Sequence, residues 1–448
     1  MRLREQIGPI WDRVVCGKIS LAWMAKCLEE EVKIWRDRRY SPLVTLKIFI
    51  GQVVSADQSC KDVVARETAQ SKTERSQSTG PYCKARQRLP LKLIERFTRE
   101  LGEQLRAAQP ARWCWQGREV KLVDGTTVSM PDTLESQLRF PQSRTQKAGL
   151  GFPVARLVAV ISLSCGAILE WAVGPCEGKS SGETSMLWGL ADSFKPGDVV
   201  LADRYYAGYS MIALLLQRGA DVVIRQHQLR HTDFRRGKRL GKCDHIVEWS
   251  RPPRPAKMDA ATYATLPESL TLREARVGKW IIVSSLLDHK AVPKLDLSDL
   301  YCQRWQVELD LRSIKAVMQM DIMRCQTPDM VEKEIAVHLL AYNLVRTAIA
   351  EVACMSLIHP RQLSFKAALQ LLRAFAEELC RCPRTHFDSR YADLIRNMDR
   401  NRLPHRPGRV EPRVKKRRPK NYPLMTKPRS ALRKPLIKQR AKIGEALR

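Results

Sequence analysis

Two aspartates in this chain stand directly after short apolar runs of the kind that build strands. Asp124 follows Glu119–Val123 and precedes Gly125-Thr126-Thr127, while Asp203 follows Val199–Ala202 and precedes Arg204-Tyr205-Tyr206. Side chains at the carboxyl ends of strands in open α/β sheets face the functional crevice. A carboxylate there is costly to bury unless a cation accompanies it. Aspartate is also a common turn-former and helix cap, so position alone leaves both roles open. A third acid, Glu308, lies in the stretch Leu300–Lys315. At roughly 100° per residue, Tyr301, Arg304, Glu308 and Lys315 fall within an arc of about 60°. Leu300, Val307, Leu311, Ile314 and Met318 occupy the adjoining arc and predict a buried face. One acid, two bases and a tyrosine bordering the core fit a functional stripe. They equally fit a surface of i, i+4 ion pairs.

Positioning these acids requires an α/β framework, and the periodicity predicts one. Apolar or β-branched runs at Glu119–Val123, Arg156–Leu163 and Ala167–Val173 read as three consecutive strands. A helix over Glu183–Ser193, a strand at Val199–Ala202, a helix over Tyr209–Arg218 and a strand at Asp221–Ile224 follow. That order predicts an α/β fold with a mixed-sheet core. Residues 226–296, rich in Arg, Pro and Lys, interrupt the core between its parts at 119–225 and 297–400. Strand candidates at His245–Trp249, Leu270–Val277 and Trp280–Leu286 make this interruption a β-rich insertion. The helix carrying Glu308 is expected to begin near Ser298, capped by Asp296 or Ser298. Further helices are expected over Asp329–Ala353 and Arg361–Met398.

Residues 1–118 read as helical. Leu43–Val54 has the period of an amphipathic helix, and a basic helix follows from Tyr82 to about Gln104, after a polar stretch at Gln70–Ser78 and Gly80-Pro81. This pair fits a helix-turn-helix DNA reader, and equally a plain helical bundle with a solvated face. Between residues 403 and 448, sixteen Lys or Arg stand against two Glu, and repeated prolines argue against a continuous helix. The segment 401–448 therefore reads as a flexible basic arm.

Composition narrows the class of partner. The chain has 448 residues, enough for two or three domains, and its 44% hydrophobic content is ordinary for a globular protein. Its formal net charge of +31 favours a polyanion, because each base that neutralises a phosphate releases a counterion. The tail carries +14 of that surplus, leaving +17 elsewhere. Thirteen cysteines without any Cys-x-x-Cys read as reduced thiols of a cytosolic protein. The charged start lacks a signal-peptide core, and no uninterrupted apolar run is long enough to span a bilayer. A bacterial cytoplasm or nucleoid, with no membrane partner, is the expected location.

The spacing of Tyr301, Arg304, Glu308 and Lys315 resembles the Tyr-Arg-Glu-Lys signature of bacterial insertion-sequence transposases of the DDE class. The resemblance extends to Val123-Asp124-Gly125-Thr126, to Ala202-Asp203-Arg204, and to the β insertion between the second and third acids. It also covers Tyr40–Pro90, including Tyr82-Cys83-Lys84-Ala85-Arg86, and the tail around Lys415–Pro428. It implies a ribonuclease-H-like catalytic core in which Asp124, Asp203 and Glu308 hold Mg²⁺, with Mn²⁺ as a substitute and two ions at work. It implies that residues 1–118 bind transposon ends, and that a homodimer or larger assembly engages double-stranded DNA, both element ends and target. Tyr301, Arg304 and Lys315 would contact phosphates near the scissile bond, and none of the eight histidines is needed as a base. Trp280 stands where related enzymes stack a flipped base, although a core tryptophan of the insertion is an equal reading. Trp305 is expected to pack, and Arg204 to form a salt bridge with a nearby acid in preference to touching phosphate.

Two rivals use the same residues: a transposase-derived DNA-binding protein without catalysis, and a ribonuclease-H-like nuclease that cuts without joining. Deleting residues 403–448 is expected to weaken DNA binding most at low salt. Anisotropy titrations at several salt concentrations would check this, and an unchanged salt slope would remove the tail from the interface.

Overall fold

The computed structural model describes residues 19–33, 35, 39–69, 76–178, 181–255, 258–404 and 424–446, and among these described residues five α-helices stand before the first strand. They are α1 (Leu21–Glu31), α2 (Pro42–Val54), α3 (Cys60–Ala69), α4 (Gly80–Arg88) and α5 (Leu91–Ala107). Ser20 and Ser41 cap α1 and α2 by accepting the Trp23 and Val44 amides, and Pro42 fits the first turn. The helix expected from Tyr82 to Gln104 is divided at Leu89-Pro90. Pro90 has no backbone donor and forces Leu89 into an extended conformation. Part of the expected polar stretch, residues 70–75, lies outside the described residues.

The sheet begins with β1 (Val120–Ser129), then α6 (Leu134–Arg139), β2 (Val154–Ser162) and β3 (Ile168–Pro175). Next come α7 (Glu183–Trp188), β4 (Val199–Ala202), α8 (Tyr209–Gln217) and β5 (Asp221–Arg225). Strands β1, β2 and β3 pair antiparallel, whereas β1–β4 and β4–β5 pair parallel. The resulting order β3-β2-β1-β4-β5 is the expected ribonuclease-H-like mixed sheet. The insertion adds β6 (Lys238–Gly241), β7 (Asp244–Ser250), α9 (Ala260–Thr265), β8 (Ser269–Val277) and β9 (Trp280–Ser284). It does not build a sheet of its own. Strand β9 pairs antiparallel with β5, so one nine-stranded sheet runs β3-β2-β1-β4-β5-β9-β8-β7-β6. The short edge strand β6 was not legible from apolar alternation because its residues are Lys, Arg, Leu and Gly.

Alternation along the strands sorts the two faces. Val120, Leu122, Val199, Leu201 and Val223 join the core shared with the long helices, while Val123, Val200, Ala202, Val222 and Ile224 pack under α7 and α8. The first of these faces receives α10 (Lys294–Cys302), a 3₁₀ turn at Gln303–Trp305, α11 (Gln306–Arg312) and a π turn at Ser313–Val317. These segments form one helical rod that starts four residues before Ser298, after Pro293.

Behind this rod runs α12 (Pro328–Met355). By length and composition it is apolar enough to cross a membrane (mean hydropathy 1.3), yet 94% of its most apolar window is buried inside the protein. It is the central core helix, and α2 and α5 both pack on it. The deep burial of α2, from Leu43 to Val53, fits the helical-bundle reading of this region. Asn343 of α12 pairs with the edge of β3: its Oδ1 accepts the Ile168 amide at 2.8 Å, and its Nδ2 donates to the Ile168 carbonyl at 2.9 Å. Gly102 of α5 lies over the same carbonyl, where a Cβ would approach to 2.2 Å, so only glycine lets α5 sit so close.

The helix expected over Arg361–Met398 is likewise split by a proline, Pro383, into α13 (Phe365–Arg381) and α14 (Arg384–Asp399). In the tail, residues 405–423 lie outside the described residues. Against expectation, Arg429–Ala446 forms a helix, α15, with Pro435 inside it. The Ala, Leu, Lys, Arg and Gln residues around Pro435 are strong helix formers.

One buried carboxylate joins these layers. Asp310 of α11, fully buried, accepts Tyr342 Oη at 2.9 Å, Arg361 Nη1 at 2.6 Å and a close Arg346 Nη2. Arg361 also donates to the carbonyls of Leu163 (2.9 Å) and Ser162 (3.1 Å), at the end of β2. Asp310→Ala would leave two buried guanidinium groups without their carboxylate. It is expected to lower stability by about 3–5 kcal/mol, measured by urea unfolding.

Candidate active site

The parallel register brings the two aspartates together. β1 pairs with β4 through Leu122↔Leu201, and β4 with β5 through Ala202↔Ile224. Continued past those last pairs, the register sets Asp124 beside Asp203 and Asp203 beside Arg225. Neighbouring strands lie about 4.8 Å apart. By alternation with Leu122, Leu201 and Val223, all three side chains belong to the face that carries the helical rod.

The expectation that Asp124 closes its strand is corrected. β1 runs on to Ser129, fully paired with β2, and Asp124 lies opposite Ala159. It is instead β4 that stops short, leaving Asp124 beyond its parallel neighbour. Asp203 does end its strand. It caps the turn Arg204–Tyr206 by accepting the Tyr205 amide at 2.8 Å.

The electrostatics of Asp124 follow from this placement. Burial raises its carboxyl to about 6, against an ordinary 3.8. The Gly125 amide and the Arg304 guanidinium pull it down, while the charges of Asp203 and Glu183 push it up. Glu183 lies on the opposite side of the strand, in space left by the missing Cβ of Gly125, where its Cδ would come within 2.5 Å. Arg156 stands 3.8 Å from Glu183, and Tyr206 donates to it at 3.4 Å.

The signature residues take different positions on the rod. Tyr301 is buried, and burial lifts its phenol to about 12, opposed by the charges of Arg304 and Arg225. Arg304 is largely buried and donates to Glu308 Oε1 at 3.1 Å, while Glu308 itself is 44% exposed at the rim. Lys315 is half-buried within the π turn, a helix defect frequent at functional sites. Among the described residues, no three His, Cys, Asp or Glu side chains are grouped so as to hold a metal ion. The structure thus brings Asp124, Asp203, Tyr301 and Arg304 together, with Glu308 joined to them through Arg304.

Trp280 opens β9 half-buried. Its ring meets Tyr301 edge-on at 6.2 Å, and the Arg225 guanidinium lies 5.4 Å from its centre. Trp305, expected to pack, is covered only in part: it is 40% exposed, with Arg304 at 5.1 Å from its ring, and lies in the 3₁₀ turn. Arg204 lies over the Tyr205 ring at 5.5 Å and forms no ion pair among the described residues, which corrects the expected salt bridge. Sequence reasoning missed Arg225 and Glu183. Arg225 was findable, since it follows the expected strand Asp221–Ile224 just as Asp203 follows its own. Glu183 becomes visible only through packing over Gly125.

An aspartate whose carboxyl is raised binds its proton more tightly in the folded chain than in the unfolded one. The associated stability is present below about pH 4 and is lost as the pH climbs to about 6. In metal-free buffer, Asp124→Asn should therefore melt a few degrees above the parent chain near neutral pH, with the gap closing at about pH 4. Melting curves across that range decide it, and a gap independent of pH would contradict the assignment.

Residues 115–344 match the family described as transposase DDE domain. A curated relative, transposase InsG for insertion sequence element IS4 of Escherichia coli (strain K12), is 26% identical over 420 residues. The match spans 90% of this chain and 92% of the relative. Among solved structures, the cryo-EM piggyBac transposase synaptic complex with hairpin DNA (SNHP) aligns at TM-score 0.43 and 10% identity. That alignment covers 89% of this chain and 86% of the other, a likeness too distant to inform the site.

Proposed function

The chain belongs to the transposase DDE-domain family, and from that premise we propose that it cleaves DNA at the ends of a mobile element and joins the freed 3′-hydroxyl ends to target DNA. The observation that carries the reading is the row Asp124–Asp203–Arg225 across three parallel strands, on the face covered by the rod that bears Glu308. Two carboxylates side by side, one of them raised to about 6 by burial with the other's charge adding to the rise, would gain from a divalent cation. Asp124, Asp203 and Glu308 would hold that cation, Mg²⁺ or Mn²⁺ and two ions in full, which supplies an activated water or 3′-hydroxyl and stabilises the leaving oxygen.

The remaining groups serve the phosphodiester. Arg304 is the cation that Asp124 and Glu308 share here, and turned toward a phosphate it offers two parallel donors. Tyr301, buried beside Arg304, orients that guanidinium, and Lys315 adds a point charge farther along the rod. Arg225 extends the basic rim on the side away from Asp124. For Trp280, the contacts with Tyr301 and Arg225 favour packing over stacking on a flipped base. Terminal inverted repeats would engage residues 1–118. The charge of +31 supplies sequence-independent affinity for both DNA substrates, and two or more chains would hold the ends together.

Glu308→Gln is the sharpest test, because the exposed Glu308 supports little of the fold. With end-containing DNA and Mg²⁺, the variant is expected to bind nearly as the parent does and to give no nicked product. Substantial residual nicking would mean that the rod is misassigned. Parent protein that binds but never nicks would favour a DNA-binding role alone. Cleaved ends that never join, despite supplied 3′-hydroxyls, would favour a nuclease.

A further inference from the structure

The joint between the N-terminal helices and the helical rod contains a buried cation that, among the described residues, has no carboxylate within ion-pair distance. Arg86 of α4 is 8% exposed, and among the described residues it forms no ion pair. Its Nη1 donates to Gln52 Oε1 at 3.2 Å, and its guanidinium lies 4.8 Å from the Phe49 ring centre and 5.1 Å from that of Tyr82. The other acceptors are sulfurs: its Nη2 is 3.1 Å from Cys60 Sγ and 4.0 Å from Cys83 Sγ. A buried guanidinium normally draws a carboxylate. Here two thiols on two different helices lie within 4.0 Å of one guanidinium nitrogen and within hydrogen-bonding reach of each other.

We propose that Cys60 and Cys83 are an oxidation-sensitive pair that closes to a disulfide when the protein meets a peroxide. Both side chains are half-buried, so a small oxidant has access while bulk solvent is largely excluded. The first sulfur attacks the peroxide oxygen and becomes a sulfenic acid, releasing water. The second sulfur then attacks the first, forming the S–S bond and releasing a second water. Two thiol protons and two electrons thus pass to one hydrogen peroxide. Arg86 touches both sulfurs and stabilises whichever one bears the negative charge during attack. At rest, burial outweighs Arg86 and keeps the Cys60 thiol above its ordinary range, so the pair is stable until oxidant arrives. Cys325 also lies near Arg86, but it is buried and its thiol interacts with Glu334.

The pair is wired to the rod. Gln52, which accepts from both Arg86 and Tyr82, donates its Nε2 to the Gln58 carbonyl at 2.7 Å. Gln58 Nε2 in turn donates to the Met318 carbonyl at 2.8 Å, directly after the π turn that holds Lys315. Closing the disulfide removes both sulfur acceptors from Arg86. The guanidinium must then find new partners, and Gln52 and Gln58 move with it. Oxidation at α3 and α4 therefore loosens the end of the rod.

The test uses the full chain treated with limiting hydrogen peroxide and then alkylated. Non-reducing peptide mapping should show the Cys60–Cys83 linkage, with a mass loss of two hydrogens, ahead of any other pair among the thirteen cysteines. Hydrogen exchange over residues 313–320 should speed up on oxidation and recover with dithiothreitol. Cys83→Ser should abolish both changes while leaving exchange before oxidation as in the parent. Linkage through other cysteines, or a sulfonic acid without a disulfide, would overturn the pair. A Cys60–Cys83 bond with unchanged exchange at 313–320 would overturn the link to the rod. Neither readout depends on DNA cleavage, so the outcome is separable from the fate of the proposed function.

Discussion

The rod that carries Tyr301, Arg304 and Glu308 keeps its place because Asp310, two residues beyond Glu308, is anchored on the inward side. Its carboxylate receives Arg346 and Tyr342 from α12 and Arg361 from the 3₁₀ turn before α13, and Arg361 reaches on to the end of β2. One residue thereby fixes a helix against both a second helix and a sheet. The pairing is costly in desolvation, and losing any one partner would leave the others buried and unpaired, so the network holds the helix to one position. The outward side of the same rod stays loosely held, with Glu308 partly exposed and tied only to Arg304 among the described ion pairs. A rigid inner side and an adjustable outer side let Glu308 change its partner while the helix beneath it stays in place.

A second constraint is the difference in length between adjacent strands. β1 continues for ten residues while β4 stops after four, so the chain leaves the sheet at Asp203 just where β1 still runs straight at Asp124. The result is a notch in a continuous sheet, with an acid on each wall and a helix across one face. Burial within that notch, more than any neighbouring charge, is what raises the Asp124 carboxyl.

Much of this framework was legible in the sequence, because its main determinants are local. β-branched runs marked four strands of the core to within two residues, but the first strand runs six residues past its expected end at Val123, and the spacing from Tyr301 to Lys315 marked the rod. The errors have physical reasons. Helical periodicity persists across Leu89-Pro90 and Cys382-Pro383, so two pairs of helices read as one each until proline is given its full weight. A uniform 100° rotation could not foresee the 3₁₀ turn that holds Trp305 or the π turn at Lys315. β6, with Leu240 as its one apolar side chain, carries no apolar alternation, and the joining of β9 to β5 is a long-range pairing that no local pattern encodes. Glu183 and the Arg86 thiol cluster depend on packing between segments far apart in the chain.

The two ends of the nine-stranded sheet deserve comparison as exposed templates. At one end, the Asn343 side chain mimics a peptide and satisfies both the amide and the carbonyl of Ile168, with α5 laid close over that carbonyl. At the other end, β6 is only four residues long and begins with exposed Lys238 and Arg239. A short, positively charged border repels its own kind, and a side-chain amide seated at the start of the other border occupies the first position where a foreign strand could pair. Both devices disfavour strand addition between copies, which counts for a highly basic protein with a wide sheet.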